Sequence, residues 1–280
     1  MIKESAIRDV LSDNSLDPAL VLKILSKKDP LSELISGEVD VDRMDYLARD
    51  AYHTGVAYGV IDLDRLVNTV ELVDGRLVIS KGGLRAVEGL LVARFLMTPT
   101  VYLHHTSRIA DAMFLRGTER AVEEGTLGLE KLFSMDDFDI QGVFRGASGY
   151  VREIGRRLDE RRLFKQAWFR DERGASEELK KGFLDLMEDV KRWGRLEEGL
   201  AKDSGLEAGY VILDIPPKAK YEEKNALIYD GVRVERLDAV SPIVRILQET
   251  QAAQWSVGVY TPEEHVEKVA MVCKNIEGYL

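Results

Sequence analysis

The sequence predicts a mainly α-helical body followed by a small α+β module. Up to residue 206, apolar residues recur mostly at the three- to four-residue spacing of amphipathic helices. One β-hairpin interrupts this body at 69–79, where β-branched and apolar residues flank Asp74-Gly75, the preferred dipeptide of a type I′ turn. After Gly205, short β-branched segments alternate with turns. We therefore expect a body over 1–135, a helical extension over 136–206 and the α+β module over 207–280.

Composition and charge exclude several classes of protein. The chain has 280 residues, 45% of them hydrophobic, which is ample for a buried core, and its net charge is -10. This acidic balance disfavours a nucleic-acid or membrane-surface binder. Cys273 is the only cysteine, so neither an intramolecular disulfide nor a cysteine metal cluster can form. No apolar run approaches the roughly 20 residues of a membrane span, the N-terminus does not resemble a signal peptide, and we expect a cytoplasmic protein.

The helical elements are predicted in order from caps and periodicity. Asp17-Pro18 begins a helix in the N-terminal region, and Asp29-Pro30 ends it. A second helix covers the segment around 41–53, and a short one begins near Val60. A long helix is expected from Leu84 to Arg108, with Pro99 kinking it or breaking it in two. Further helices are expected over 109–133, 137–145 and 149–170, with an amphipathic helix in 171–206.

The C-terminal module is predicted from shorter signals. Tyr210–Ile215, which ends at Pro216-Pro217, reads as a strand, and 226–234 reads as a second hairpin around Asp230-Gly231. A helix over Pro242–Gln251, a strand over Trp255–Tyr260 and a helix over Pro262–Ile276 complete it.

The segment from Ser36 to His53 carries the chemistry. Read as a helix, it places Asp42, Tyr46, Arg49 with Asp50, and His53 on one face. A neighbouring apolar stripe can pack against the body; it consists of Met44, Leu47, Ala48 and Ala51. The exposed set of carboxylates, phenol, guanidinium and imidazole is able to bind a metal ion, hold phosphate oxygens and contact a sugar.

This segment resembles the late signature helix of the HD-domain metal-dependent phosphohydrolases. Its run Asp-Val-Asp-Arg-Met-Asp-Tyr-Leu-Ala-Arg-Asp is similar to that of the deoxynucleoside-triphosphate triphosphohydrolase-like branch, which includes SAM-and-HD-domain proteins. The resemblance implies an HD-domain-like helical body, a divalent metal ion of undetermined identity, and Asp42 as one metal ligand. On the pattern alone, Asp42 is better explained as a helix N-cap or a first-turn acid, and the surrounding match to the family reverses that preference.

The same resemblance assigns substrate contacts to three further residues of this helix. Arg43 stands where the family has a Lys or Arg at the nucleotide phosphates, and Tyr46 and Asp50 match positions at the deoxyribose. The alternatives are a solvated arginine, a buried tyrosine and a surface pair between Asp50 and Arg49.

A second segment, Arg94 to His105, resembles the one that closes the nucleotide pocket. Arg94 matches a phosphate-binding arginine, Tyr102 a tyrosine that packs on the nucleotide, and His104 a histidine near a regulatory nucleotide. Thr98 and Leu103 depart from the polar residues of the family. Adjacent helical residues point about 100° apart, so the His104-His105 pair favours ordinary histidines over a metal site.

The His-Asp dipeptide that names the family is absent from this sequence. The only histidines are His53, His104, His105 and His265, and none lies before residue 36. We therefore expect no complete catalytic site in this chain and favour the C-terminal portion of a longer enzyme. The alternatives are that a separate polypeptide supplies the missing half, or that the chain is a degenerate module.

Two functions remain in competition. The first is a metal-dependent phosphohydrolase that converts deoxynucleoside triphosphates to deoxynucleoside and triphosphate, with this chain carrying the C-terminal part of the site. The second is a non-catalytic nucleotide-binding or subunit-assembly module. The helices of 149–206 and the hairpin at 69–79 offer surfaces for subunit contacts, and we expect a homo-oligomer, as in the enzymes it resembles. A nucleic-acid binder is the weakest option because of the acidic charge.

Overall fold

A computed structural model describes residues 6–216, 226–251 and 255–280. The predicted class is confirmed, because helices dominate and the strands are few and short. The helices, in chain order, are α1 (Ala6–Asp13), α2 (Pro18–Leu25), α3 (Ser32–Ser36), α4 (Val41–Thr54), α5 (Leu63–Thr69), α6 (Leu84–Met97), α7 (His105–Glu123), α8 (Asp137–Gly146), α9 (Gly149–Asp159), α10 (Glu177–Met187), α11 (Val190–Asp203), α12 (Leu237–Val240), α13 (Pro242–Gln251) and α14 (Val266–Cys273).

The described strands form two small sheets. They are β1 (Val70–Val73), β2 (Arg76–Ser80), β3 (Lys165–Asp171), β4 (Ile212–Asp214), β5 (Leu227–Tyr229), β6 (Val234–Arg236) and β7 (Ser256–Thr261). One sheet has the order β1-β2-β5-β6, and the other has the order β3-β7-β4. Both sheets therefore join segments that are far apart in the sequence.

The chain divides into two compact units, each built from two segments. The first unit contains 1–101 and 219–252, and the second contains 102–218 and 253–280. Strand β5 pairs with β2 of the first unit, whereas β7 pairs with β3 and β4 of the second. The three consecutive domains expected from composition stay a prediction.

The first predicted hairpin is confirmed in its residues and in its turn. β1 and β2 are antiparallel, with Val73 opposite Arg76. Asp74 and Gly75 both have positive φ, at 50° and 69°. A type I′ turn requires positive φ at both central residues, and Asp and Gly tolerate it best. The second predicted hairpin is also formed, by β5 and β6.

The long helix predicted from Leu84 to Arg108 is broken in two, which is one of the two outcomes predicted from Pro99. α6 ends at Met97, a π-helical turn covers Thr98–Tyr102, and α7 begins at His105. Proline lacks the N–H that a continuing α-helix needs, so the backbone changes its hydrogen-bond pattern there.

The helix predicted over 149–170 is wrong in its second half. α9 ends at Asp159, Arg161 has a φ of 55°, and Lys165–Asp171 forms strand β3. The strand forms because β7 pairs with it, and the paired residues lie 85 to 96 positions apart in the chain, a separation that local periodicity does not report. The single amphipathic helix predicted within 171–206 is two helices, α10 and α11, which begin at the capping residues Ser176 and Asp189.

Among its described residues, the second unit contains two clusters of buried apolar side chains. One surrounds Phe183, Leu200 and Val257, and the other surrounds Phe144, Ile154 and Phe164. Cys273 is buried in the first cluster, and burial raises the pKa of its thiol to about 12, so it stays protonated near neutral pH.

Among the described residues, no single helix is long and apolar enough to cross a membrane. The segments Lys81–Tyr102 and His105–Glu123 meet the criteria of length and composition only when they are taken together, across a bend.

Candidate phosphate-binding site

Helix α4 carries most of the predicted site, and its ends are fixed by local sequence. Asp40 is the N-cap residue, whose side chain accepts the backbone N–H of Arg43 at 2.8 Å. Gly55 ends the helix in the left-handed conformation, with a φ of 72°. Met44, Leu47 and Ala51 are buried, which confirms the apolar stripe read from the sequence.

Asp42 lies in the first turn of α4 and is exposed. The N-cap role considered for it belongs instead to Asp40, two residues earlier. An acid in the first turn is stabilised by the helix dipole, so this position is explained without a ligand. Its role as a metal ligand stays a prediction.

Arg43 is half-buried and turned back toward the loop that precedes its helix. Its Nη1 donates a hydrogen bond to the carbonyl of Gly37 and lies 3.7 Å from Oδ2 of Asp40. The guanidinium is therefore held at one end by a carbonyl and a carboxylate.

Arg94 of α6 belongs to the same cluster of charges. α6 packs against α4, and the positive charge of Arg94 acts on the Asp40 carboxyl. Burial raises the pKa of Asp40 above its ordinary value, and the nearby Asp42 carboxylate adds to this rise. The Arg43 N–H and the charges of Arg43 and Arg94 offset part of it. The fold thus assembles two acids and two predicted phosphate-binding arginines near the start of α4.

Tyr46 and Asp50 lie further along α4, and both are half-buried. Arg49 forms an exposed ion pair with Asp45 at 2.6 Å. His53 is exposed and contacts the ring of Tyr52 edge-on, at a centroid distance of 5.3 Å. The sugar contacts predicted for Tyr46 and Asp50 stay predictions.

Tyr102 and His104 belong to the second unit. Tyr102 lines a pocket of about 270 Å³ together with Arg108, Asp111, Trp193 and Asp214. Burial raises the pKa of the Asp111 carboxyl, and the Asp214 carboxylate raises it further. The pocket thus brings an acid with a raised pKa together with a tyrosine and a tryptophan.

His104 has a structural role that the sequence did not suggest. It is the N-cap of α7, and its Nδ1 accepts the backbone N–H of Thr106 at 3.3 Å. Its ring lies 4.3 Å from that of His105, centroid to centroid. The regulatory contact predicted for His104 stays a prediction.

Sequence reasoning missed Asp40 and a three-residue network in the second unit. Asp214 Oδ2 accepts hydrogen bonds from Arg108 Nε at 2.6 Å and from the Tyr260 hydroxyl at 2.8 Å. An acid just before a helix was a recognisable capping signal at Asp40. No local signal identifies the network, because its members are 46 and 106 residues apart in the chain.

The part of the chain that the structure describes contains no group of three or more His, Cys, Asp or Glu side chains placed to hold a metal ion. The described residues therefore do not fit a complete metal centre, and Asp42 stands as a single candidate ligand.

Comparison with protein families gives one match that covers most of the chain. The model of a family described as the HD associated region matches residues 61–277. An uncharacterized protein of Methanocaldococcus jannaschii is 36% identical over 253 residues, which is 89% of this chain and 54% of that protein. One of Bacillus subtilis is 28% identical over 255 residues, 86% of this chain and 55% of that protein. The chain spans about half the length of these relatives.

Two solved structures share the fold. A hypothetical protein from Aquifex aeolicus has a TM-score of 0.69 and 24% identity, over 97% of this chain and 69% of that one. A phosphohydrolase from Bacteroides thetaiotaomicron has a TM-score of 0.67 and 21% identity, over 91% of this chain and 70% of that one. At these identities the likeness concerns the fold.

Proposed function

The chain belongs to the family of HD-associated regions, and on that premise we propose that it forms part of an HD-type phosphohydrolase and contributes residues that bind the substrate phosphates. The substrate proposed is a deoxynucleoside triphosphate, and the products are deoxynucleoside and triphosphate. The protein named a phosphohydrolase among the structural neighbours supports the reaction class.

One observation carries the proposal: Arg43 and Arg94, predicted separately from two segments, lie on helices α4 and α6, which pack against each other, and the Arg43 guanidinium is 3.7 Å from the Asp40 carboxylate. Guanidinium groups bind phosphate oxygens by paired, charge-assisted hydrogen bonds. Two of them near one point are suited to offset the charge of a polyphosphate. Tyr46 and Asp50, further along α4, would contact the sugar.

The resemblance implies a divalent ion that would polarise the phosphate and activate water. In this chain Asp42 would be one of its ligands. Since the described residues do not complete a ligand set, binding of phosphate by the two arginines is the part of the function that this chain itself supports.

Replacing Arg43 with alanine is expected to weaken the binding of inorganic triphosphate about 10- to 100-fold, since a hydrogen-bonded charge contributes about 1.5–3 kcal/mol. The measurement is isothermal titration calorimetry at one fixed ionic strength, because salt screens such contacts. The matched control is Arg49→Ala, which removes an arginine from the same helix where it pairs with Asp45. Equal losses in the two variants, or no binding by the wild type, would contradict the proposal.

A second test concerns catalysis in a longer protein that joins this chain to a His-Asp half. There we expect hydrolysis of deoxynucleoside triphosphates to depend on a divalent ion and to be abolished by Asp42→Ala. The measurement is the release of triphosphate, with Asp45→Ala as the control for loss of an exposed acid from the same helix. Full activity of Asp42→Ala would refute the metal-ligand role. Binding without turnover would assign the chain to the alternative, a non-catalytic nucleotide-binding module.

A further inference from the structure

Among the described residues, three helices begin with the same pattern, an aspartate followed three residues later by an arginine. Asp40, Asp62 and Asp189 each accept the backbone N–H of that arginine, at 2.8, 3.0 and 3.0 Å. Each contact satisfies one of the free N–H groups at a helix start. Helix capping therefore needs only this backbone contact, which all three aspartates make.

Asp40 differs from the other two in burial and in its contact with the arginine side chain. It is 4% exposed, whereas Asp62 and Asp189 are exposed. Its second oxygen lies 3.7 Å from the Arg43 guanidinium. Within the described ranges, the arginines that follow Asp62 and Asp189 form no such ion pair. Burying a carboxylate costs free energy. An exposed aspartate caps a helix without that cost, so helix capping does not explain why Asp40 is buried.

A second anchor acts on the same arginine. The carbonyl of Gly37 accepts a hydrogen bond from Nη1 of Arg43, the nitrogen that also faces Asp40. A side chain at position 37 would collide with the backbone, because a Cβ there would lie 2.2 Å from the Glu33 carbonyl oxygen. The loop therefore approaches closely enough to hold the guanidinium only with glycine at this position.

Both anchors act on one terminal nitrogen, and this determines which edge of the guanidinium stays available. No described residue accepts a hydrogen bond from Nε or Nη2 of Arg43. That edge carries two parallel N–H donors, the geometry that binds a phosphate bidentately.

We infer that Asp40 is a positioning residue, which together with the Gly37 carbonyl fixes one end of the Arg43 guanidinium so that its opposite edge is presented to a phosphate of the substrate. The inference rests on the proposed function of Arg43. Fixing a long side chain before binding removes an ordering cost of about 0.5–1.5 kcal/mol from the binding step.

Whether removing the Asp40 carboxylate weakens or strengthens triphosphate binding distinguishes a positioning role from a purely electrostatic one. Asp40 carries a negative charge beside two arginines, so its removal should strengthen binding of an anion if charge were all that mattered. Loss of positioning should weaken binding instead. A capping role alone predicts no weakening in a variant that keeps the cap.

The experiment is titration of inorganic triphosphate into the full 280-residue chain and its Asp40→Asn variant. Asparagine caps a helix about as well as aspartate, so the thermal midpoint should stay close to that of the wild type. We expect Asp40→Asn to bind triphosphate about 3- to 10-fold more weakly, the loss that corresponds to ordering one side chain. Asp62→Asn is the matched control, because it makes the same change at a cap with the same spacing, and its affinity should be unchanged.

The outcomes distinguish this inference from the function on which it rests. If Arg43→Ala loses affinity while Asp40→Asn binds as tightly as the wild type or more tightly, the positioning role is overturned and phosphate binding stands. If Arg43→Ala binds triphosphate as tightly as the wild type, or if the wild type does not bind it, both the positioning role and the proposed phosphate binding are overturned. Should Asp40→Asn fail to fold, Asp40→Ser serves in its place, since serine also caps a helix but is too short to reach the guanidinium.

Discussion

Replacing Glu197 with alanine is expected to lower the free energy of unfolding by about 3 kcal/mol, the loss typical of a buried ion pair that is left with one partner. Glu197 is 8% exposed and lies on α11. Its Oε1 accepts hydrogen bonds from Arg116 at 2.7 Å, from the backbone N–H of Leu213 at 2.8 Å and from the indole of Trp193 at 3.1 Å. One carboxylate therefore joins α7, α11 and β4.

The size of the effect follows from what the substitution leaves behind. Burial raises the pKa of Glu197 above its ordinary value, and the Arg116 guanidinium with the other donors offsets part of that rise. Without the carboxylate, the Leu213 N–H loses its acceptor and Arg116 loses one of its two acidic partners, so that it keeps its ion pair with Glu119. Unpaired buried donors are costly because water cannot replace the lost acceptor.

The measurement is urea-induced unfolding followed by circular dichroism, with Glu198→Ala as the control. Glu198 is the next residue on α11 and is exposed, so its replacement should change the free energy of unfolding by less than about 0.5 kcal/mol. Equal stabilities of the two variants would show that the network contributes little to the fold.

Replacing Phe144 with alanine should cost about 4 kcal/mol, as is usual when a buried aromatic side chain is removed. Phe144 of α8 is 2% exposed, and its ring stacks on Phe114 of α7 with centroids 5.4 Å apart. Two glycines allow this close packing. A methyl group at Gly117 would lie 2.7 Å from Phe144 Cε2, and one at Gly155 would lie 2.8 Å from Phe144 Cβ.

This geometry predicts a dependence between two substitutions. Gly117→Ala should destabilise the wild type by about 1–3 kcal/mol through overpacking. In the Phe144→Ala background the same change should cost much less, because the atoms that it would strike are gone. Thermal unfolding of the four variants measures the coupling, and Phe138→Ala, which removes a phenylalanine that is 79% exposed on the same helix, is the control. Additive effects would contradict the packing described here.

Much of the candidate site was predictable because it lies within one helix. The apolar stripe of α4 and the placement of Asp42 in its first turn follow from spacing along a few turns. The hairpin of β1 and β2 was also predictable, since Asp74-Gly75 determines the turn. The roles of Asp42, Arg43, Arg94 and the other predicted contacts come from a family resemblance, and experiments on substrate must test them.

The errors share a different origin. Lys165–Asp171 was expected to be helical, yet it is a strand because β7 pairs with it. The cap formed by His104 was not predicted either, because it depends on where α7 begins, and the regulatory contact assigned to His104 stays a prediction. In each case the deciding contact depended on where an element ends or on which distant element lies beside it.

The sequence by itself determined the helical class, the main helices and the turns, because caps, periodicity and turn dipeptides act over a few residues. Only the tertiary structure decided which charges are buried and which segments pair. Glu197 meets Arg116 across 81 residues of chain. Burial raises the pKa of Asp40, and the positive charge of Arg94 offsets part of that rise because α4 packs on α6. Burial and pairing depend on contacts between distant parts of the chain, and these contacts determine the free energy that it costs to bury a charge such as that of Glu197.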